Sequence, residues 1–408
     1  MTNPTAHTRA VDSGSTPSDP TTAAFRSPRR SLEGWGVAAR IELPAPWTDH
    51  VGLVSEVLSR FEVTDEVSAP GTGPVAFGAL PFDREAPASL VVPALVHGLT
   101  AEGTRWTTEL HGSEGAPAPV GAVGDADARV EGDAQPAEVT VRSVRPSDEW
   151  CDAVAAATRR IAEGELTKVV LARELRLTAD RPFCAEAVHR RLRDLYPAAL
   201  CYSVDGFVGA SPELLVSRVG DIVRAQPMAG TAARTGEPES DQRRAGELLA
   251  STKNRVAHQI TIDMVHATLL PWCSYLDAEP SPTVVAAGPV QHLATVVEGR
   301  LSRPAPSVLD LVAALHPTPA VGGWPREQAL EVIGQLEGAD RGRYAGPVGW
   351  VDGQGNGAWA VGIRGVELDG TDARLFAGVG VVADSDPLAE LAETRSKAQS
   401  LLSVLVRP

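Results

Sequence analysis

The stretch AGPVGWVDGQGNGAWAVGIRGVEL, residues 345–368, decides the fold class. Two apolar, strand-like runs, AGPVGWVD and AWAVGIRGVEL, flank DGQGNG, whose Gly, Asn and Asp residues supply the turn of a hairpin. A third run, ARLFAGVGVVA (373–383), follows. Upstream lie LCYSVDGFVGA (200–210), ELLVSRV (213–219), DIVRAQPMAGT (221–231) and VQHLATVVEG (290–299), again strand-like. Helical patterns gather elsewhere, at 184–196, over a long stretch 239–270, and at 307–315 and 326–336. A last helix opens at Asp386-Pro387, a favourable N-cap and first-turn pair. Strands in runs and helices in runs argue for antiparallel α+β rather than alternating βαβ. No internal repeat is present.

A longer strand, TKVVLARELRL (167–177), precedes this region. Before it, Ser147 reads as an N-cap with Asp148 and Glu149 in the first turn. Trp150, Val154, Ala157 and Ile161 then recur at helical spacing, and Gly164 ends the run. In the strand, Lys168, Val170 and Ala172 share one face, Val169 and Leu171 the other. Small apolar residues are unusual company for a lysine.

The 408 residues are 43% hydrophobic and 22% charged, as in ordinary globular proteins. Lys+Arg 37 against Asp+Glu 52 gives a net charge of −15. That balance disfavours nucleic acid and anionic membranes as partners, so an anionic substrate needs a local positive site. No apolar run reaches the ~18 residues of a spanning helix. The four cysteines are scattered without zinc spacing, which fits reduced thiols and a cytoplasmic protein. Arg29 and Arg30 have no apolar stretch behind them, so they read as no export signal. Residues 1–30 lack a hydrophobic period and read as a disordered tail. Residues 112–138 read as a flexible insertion in a variable N-terminal part, 31–145. The informative region is 146–408.

Candidate chemistries are weighed against ordinary roles. GVGVVA (378–383) matches a dinucleotide fingerprint, but such a turn enters a helix at once. Here the chain stays extended and the helix opens only after DSDP, so the glycines suit close backbone approach to an anion instead. Taken singly, Lys168 reads as a strand lysine reaching solvent, Glu213 as an exposed turn acid, Arg364 as a solvent-facing strand residue, and His292 as a core histidine. In AELAETRSKA (389–398), Glu390, Glu393 and Lys397 sit at offsets 0, 3 and 7. At about 100° per residue they share one helical stripe, either a solvated face or a ligand face.

The motifs are more telling as a set. LTKVVLAR, GASPELL, PMAGTAAR, VQHLAT, LHPTPAVGG, GNGAWAVGIRG, LFAGVGVV and ELAETRSK occur in that order. Together they closely resemble the chorismate-utilising enzymes, and within them the isochorismate synthases, over residues 145–405. The resemblance implies an α+β fold of two packed antiparallel β-sheets flanked by helices, with the site in the central cleft. Chorismate is a dianion, and burying two carboxylates demands cations and N–H donors.

By resemblance, the ring carboxylate meets Mg²⁺, Lys397 and backbone N–H groups near Gly230 and Thr231. The enolpyruvyl carboxylate meets Arg364, Tyr344 and the backbone at Gly378. Glu393 ligates Mg²⁺ with Glu390 close by. Lys168 matches the base that deprotonates water for addition at C2, and Glu213 the acid that protonates the departing C4 hydroxyl. Lys168 differs from the Gln of anthranilate synthases. Ala320 resembles isochorismate synthases, where amine-transferring and salicylate-forming relatives tend to carry Thr. His292 and Tyr344 are shared too widely to discriminate.

One position departs from the pattern. The family usually shows a Glu-His pair in the long helix, the Glu being a metal ligand. Here His258 is preceded by Ala257. Asp263, six positions on and roughly 240° around the helix, cannot replace it. Mg²⁺ often uses only one or two protein carboxylates, so weakened metal binding and reduced turnover with an intact fold are expected. Salicylate synthase, which would also release pyruvate, and a chorismate-binding protein without turnover are the alternatives. A monomer with no macromolecular partner is expected.

Overall fold

The computed structural model of the chain describes residues 3–12, 17, 19–111, 136–288 and 290–406. The hairpin that opened the sequence reading is present: Pro347–Asp352 pairs with Gly357–Val361. It sits inside a nine-stranded sheet. The chain then leaves that sheet, and Gly365–Asp369 pairs with Asp372–Val381 inside a 13-stranded one. Lys168–Ala179 lies against Asp372–Val381 over most of its length. A three-stranded sheet joins Met228–Ala233, Thr283–Ala287 and Val290–Ala294. Among the described residues, one pair of strands is parallel, Thr5–Ala10 with Glu62–Asp65; the others are antiparallel.

The two large sheets pack face to face. Phe25, Leu32, Trp106, Tyr202 and Phe207 of the larger meet Phe77, Val91, Val348 and Trp350 of the smaller. Burial of each such side chain contributes about 1.5–3 kcal/mol, which no single surface contact matches. The far face of the larger sheet is covered by helices Ala185–Leu195 and Pro387–Val406. Val188, Leu192, Leu401 and Val404 pack there on Leu177, Val208, Val366 and Leu375. Helix Val308–Leu315, with a capping box at Ser307 and Asp310, sets Val308, Leu309 and Val312 in a core with Val216, Val223 and Trp359. The arrangement is the expected α+β sandwich flanked by helices.

Two seams join the sheets. At Pro212-Glu213 the chain passes from Phe207–Ser211 of the larger sheet to Leu214–Val219 of the smaller. At Gly362–Arg364 it returns, from Gly357–Val361 to Gly365–Asp369. The seams bond to each other: Val361 N–H donates to the Glu213 carbonyl (3.1 Å) and Ala210 N–H to that of Arg364 (3.1 Å). Backbone groups that leave a ladder must find other partners, and here each seam is bonded by a strand that flanks the other.

Several local expectations are corrected. Where a disordered tail is expected over residues 1–30, Thr5–Ala10 and Ala23–Arg26 are strands. Ala6 and Thr8 are buried there, too small to produce a hydrophobic period, and the order comes from pairing with Arg105–His111. Ser147 is the first helical residue rather than the cap, which falls on Pro146. The long stretch 239–270 is two helices, Pro238–Ala250 and Thr252–Leu269. Ser251 divides them in an extended conformation, its hydroxyl accepting from Asn254 N–H; a serine favours such a cap over a helix interior. Of the insertion expected at 112–138, residues 112–135 lie outside the described residues.

Candidate active site

Lys168 begins the strand Lys168–Ala179 and is only 5% exposed. Its backbone is held from both sides. Val170 pairs with Gly380, and Lys168 pairs with Trp324, where the HPTPAVGGWP loop folds back as a two-residue strand. Gly323 makes that contact possible. Its φ is +141°, and a Cβ there would lie 2.3 Å from the Lys168 carbonyl oxygen. Gly380 clears the side chain's path, since a Cβ would stand 2.9 Å from Lys168 Cε. The small residues beside Lys168 thus leave room for its amine. Burial lowers the amine to about 8, against the pull of Glu213 and with a further push from Lys397.

Glu213 sits on the first seam and is 3% exposed. Its N–H donates to Ser211 Oγ (3.2 Å), and its Oε1 accepts from Met228 N–H (3.3 Å). Burial raises the carboxyl to about 8, although the Met228 N–H and Lys168 both favour the carboxylate. Burial thus drives amine and acid toward their neutral forms. The exposed turn acid of the sequence reading is buried because the seam carries it between two sheets.

Arg364 sits on the second seam rather than within a strand, at φ 55°. Burial lowers its guanidinium, with Tyr344, Glu393 and Tyr196 acting in the other direction. Tyr344 stacks on Phe376 with centroids 5.2 Å apart. Burial raises its phenol to about 12, so it is a donor at neutral pH. His292 is neutral, lowered to about 3 first by burial and then by Arg364 and Lys397. Its Nδ1 lies 3.0 Å from the Gly230 carbonyl oxygen, which can only accept. That bond assigns the proton to Nδ1 and leaves Nε2 as an acceptor.

The Asp386–Pro387 start of the last helix is as read: Ala389 N–H donates to Asp386 Oδ1 (2.8 Å). On its stripe, Lys397 Nζ pairs with Glu393 Oε1 (2.6 Å) and donates to the Gly378 carbonyl (2.9 Å). Burial raises the Glu393 carboxyl, but Lys397, His292 and Arg364 outweigh it and the group ends below its ordinary range.

These elements enclose a cleft of about 300 Å³. The structure brings every candidate to its wall: Lys168, Glu213, Gly230, Thr231, His292, Ala320, Tyr344, Arg364, Gly378, Glu390, Glu393 and Lys397. The 389–398 stripe therefore faces a cavity. Ala257 lines the same cleft from helix Thr252–Leu269. Among the described residues no group of three or more His, Cys, Asp or Glu side chains could hold a metal. Glu390 and Glu393, one turn apart, offer hard oxygen ligands of the kind Mg²⁺ takes, in the number it often uses alongside water and substrate.

Sequence reasoning missed several supports. Glu337 and Arg341, four positions apart just beyond helix Arg326–Leu336, form a buried pair. Arg341 also donates to the carbonyls of Val321 (2.9 Å) and Val170 (2.8 Å), while Glu337 Oε1 accepts from Ala172 N–H (2.7 Å). This network fixes the Lys168 strand against the Ala320 loop. Its one trace in the sequence is two opposite charges four positions apart. Asn254 also lines the cleft and carried no signal.

Residues 23–406 match the family described as chorismate binding enzyme. The chain is 38% identical to isochorismate synthase MenF of Bacillus subtilis (strain 168), over 92% of this chain and 85% of that protein. It is 37% identical to isochorismate synthase DhbC of the same strain, over 87% of this chain and 85% of that one. The solved structure of MenF, the menaquinone-specific isochorismate synthase from Escherichia coli, shares its fold. The TM-score is 0.81 at 23% identity, covering 99% of this chain and 96% of that chain.

Proposed function

The chain belongs to the chorismate binding enzyme family, and on that premise we propose that it is an isomerase converting chorismate to isochorismate. The observation that carries this reading is the pairing of Lys168 and Glu213. They reach one cleft from different elements, and burial drives both toward the neutral state. The neutral Lys168 amine takes a proton from water, whose oxygen bonds to ring C2. The double bond shifts, the C4–O bond breaks, and Glu213 gives its proton to the departing hydroxyl, which leaves as water. One water enters and one leaves, and the proton returns from Lys168 to Glu213 between turnovers. Each such transfer contributes typically ~10²–10⁴-fold.

Arg364, Tyr344 and the backbone at Gly378 hold the enolpyruvyl carboxylate, while Lys397 and the backbone at Gly230 and Thr231 hold the ring carboxylate. The desolvated Arg364 guanidinium supports this, because a buried cation is stabilised by a counter-charge. His292, protonated on Nδ1, is suited to accept a hydrogen bond from a substrate hydroxyl or water. Ala320 keeps its part of the wall small. Glu393, with Glu390 close by, would hold Mg²⁺. When bound, that ion would supply positive charge to a substrate carboxylate, to which Lys397 also contributes. No helix among the described residues is long and apolar enough to cross a membrane. A cytoplasmic monomer is the form proposed; four free cysteines fit a reducing compartment.

The test is incubation with chorismate, with and without Mg²⁺, resolving isochorismate, salicylate and pyruvate by chromatography. Isochorismate alone is expected. Salicylate with equimolar pyruvate would replace the assignment, and no product at any Mg²⁺ concentration would remove it. Lys168→Ala should abolish water addition; an unchanged yield would defeat its role as base.

A further inference from the structure

A second cavity, about 240 Å³, adjoins the chorismate cleft and shares Pro212, Arg364 and Leu401 with it. Its remaining walls come from the end of helix Ala185–Leu195, the turn that follows, and strand Thr283–Ala287. They are mostly apolar: Leu192, Leu195, Val285 and Ala287 are representative. The polar groups on the wall are few and of one sign. Arg364 and Arg234 line it, together with Tyr196 and Ser400, and among the described residues no carboxylate does.

The two arginines differ. Arg234 is fixed by Asp241 (Nε to Oδ2, 3.1 Å) and by the Gly288 carbonyl (3.1 Å). Among the described residues Arg364 has no fixed side-chain partner of that kind, although Tyr344, Glu393 and Tyr196 are near enough to favour its charged form. It is a desolvated guanidinium with five donors, accessible from two cavities. An apolar pocket with one cation on its wall that no ion pair holds is complementary to a flat apolar body carrying one negative charge.

We propose that this cavity is a second binding site, for a small aromatic monocarboxylate whose ring lies on the apolar wall and whose carboxylate pairs with Arg364 from outside the cleft. A molecule bound there competes with the substrate for one guanidinium without entering the substrate's space. The site is thus a means of inhibition by aromatic acids. The link to inhibition rests on the role assigned above to Arg364; the binding itself does not.

Benzoate is the probe, and the full chain is titrated by calorimetry without chorismate or Mg²⁺. One saturable site is expected, with benzamide binding at least ~10-fold more weakly because it lacks the charge. Ala287→Trp fills the cavity and should weaken benzoate by at least ~10-fold, leaving isochorismate formation unchanged and removing benzoate inhibition. Leu195→Trp, at a position 58% exposed, repeats the test should the first variant fold poorly. Absence of saturable binding overturns the proposal. So does inhibition equally strong in both filled variants, which would place benzoate in the chorismate cleft, and so does equal binding of benzamide. Because the titration needs no turnover, benzoate binding sensitive to Ala287→Trp in a chain that makes no isochorismate would uphold this site and refute the assigned activity.

Discussion

Replacing Glu213 with Gln should stabilise the protein while removing its activity, and the gain should depend on pH. In the unfolded chain this carboxyl titrates near its ordinary value of 4.5; in the folded protein it titrates at about 8. The sign follows from proton linkage. Below pH 4.5 the group is protonated in both states and costs nothing. Between 4.5 and 8 the unfolded chain loses the proton while the folded protein keeps it, so stability falls as pH rises. Above 8 both states are ionised and the penalty is complete. At pH 7, with one pKa unit worth ~1.4 kcal/mol, the cost is about 3 kcal/mol.

Gln removes that penalty and keeps an oxygen to accept from Met228 N–H, now at 3.3 Å from Glu213 Oε1. Its amide adds a donor that the pocket must satisfy, at a cost of about 1–3 kcal/mol, so a net gain of roughly 0–2 kcal/mol is expected at pH 7. Up to that pH the wild-type carboxyl is mostly neutral, so little Coulombic support for Lys168 is lost. Urea unfolding followed by tryptophan fluorescence at pH 5, 6, 7 and 8 gives the difference directly. The variant's advantage should grow by about 3 kcal/mol or more from the lowest to the highest pH. A difference that stays flat across that range would refute the claim that burial raises this carboxyl.

Lys168 must be neutral and Glu213 protonated in the same molecule, and both titrate at about 8. The rate should rise as Lys168 loses its proton and fall as Glu213 loses its own, giving a narrow bell near pH 8 with about a quarter of molecules competent at the peak; kcat/KM between pH 6 and 10 checks this, and a profile level across that span contradicts it. Ala257→Glu, which adds a carboxylate to the cleft wall, should lower the Mg²⁺ concentration at half-saturation by ~10-fold or more; equal metal titrations, by binding and by rate, would show that position 257 does not address the metal. Arg341→Met strands the Glu337 carboxylate in the interior and should cost ~3–5 kcal/mol, whereas Arg341→Met with Glu337→Leu should recover part of that loss; thermal unfolding of both variants distinguishes a supporting network from an incidental pair.

What could be read from the chain beforehand follows from how local each feature is. The DGQGNG hairpin and the Asp386-Pro387 helix start are set by nearby residues, and both were legible. So was the face shared by Lys168, Val170 and Ala172, because strand alternation is a local property. Order in residues 5–10 was not, since Ala6 and Thr8 carry no apolar signal and are held by strands about a hundred positions away. Glu213 and Arg364 looked like a turn acid and a strand arginine because burial at a seam depends on two sheets at once. Their membership in a site was legible only through the ordered set of motifs. The Glu337–Arg341 network, buried by distant segments, had no comparable motif to mark it.

The seams also explain why these side chains hold their places. A catalytic acid on a mobile loop would find water and return to its ordinary pKa; a neutral acid near pH 7 needs a fixed, dry position. Glu213 gains one because its carbonyl is bonded by Val361, where the chain enters the opposite seam, and Arg364 because its carbonyl is bonded by Ala210. Tyr202 Oη donates to the Ile363 carbonyl (3.1 Å), tying the seams to the larger sheet. That phenol occupies the space of two absent side chains, since a Cβ on Gly209 or on Gly365 would lie 2.3 Å from it. Lys168 arrives from a strand clamped between Gly380 and Trp324. To move any one of the three, the sheets must shift against each other and break a core built on Trp106, Phe207 and Trp350. The stability of the sandwich is therefore what holds a desolvated amine and a desolvated acid across one cleft.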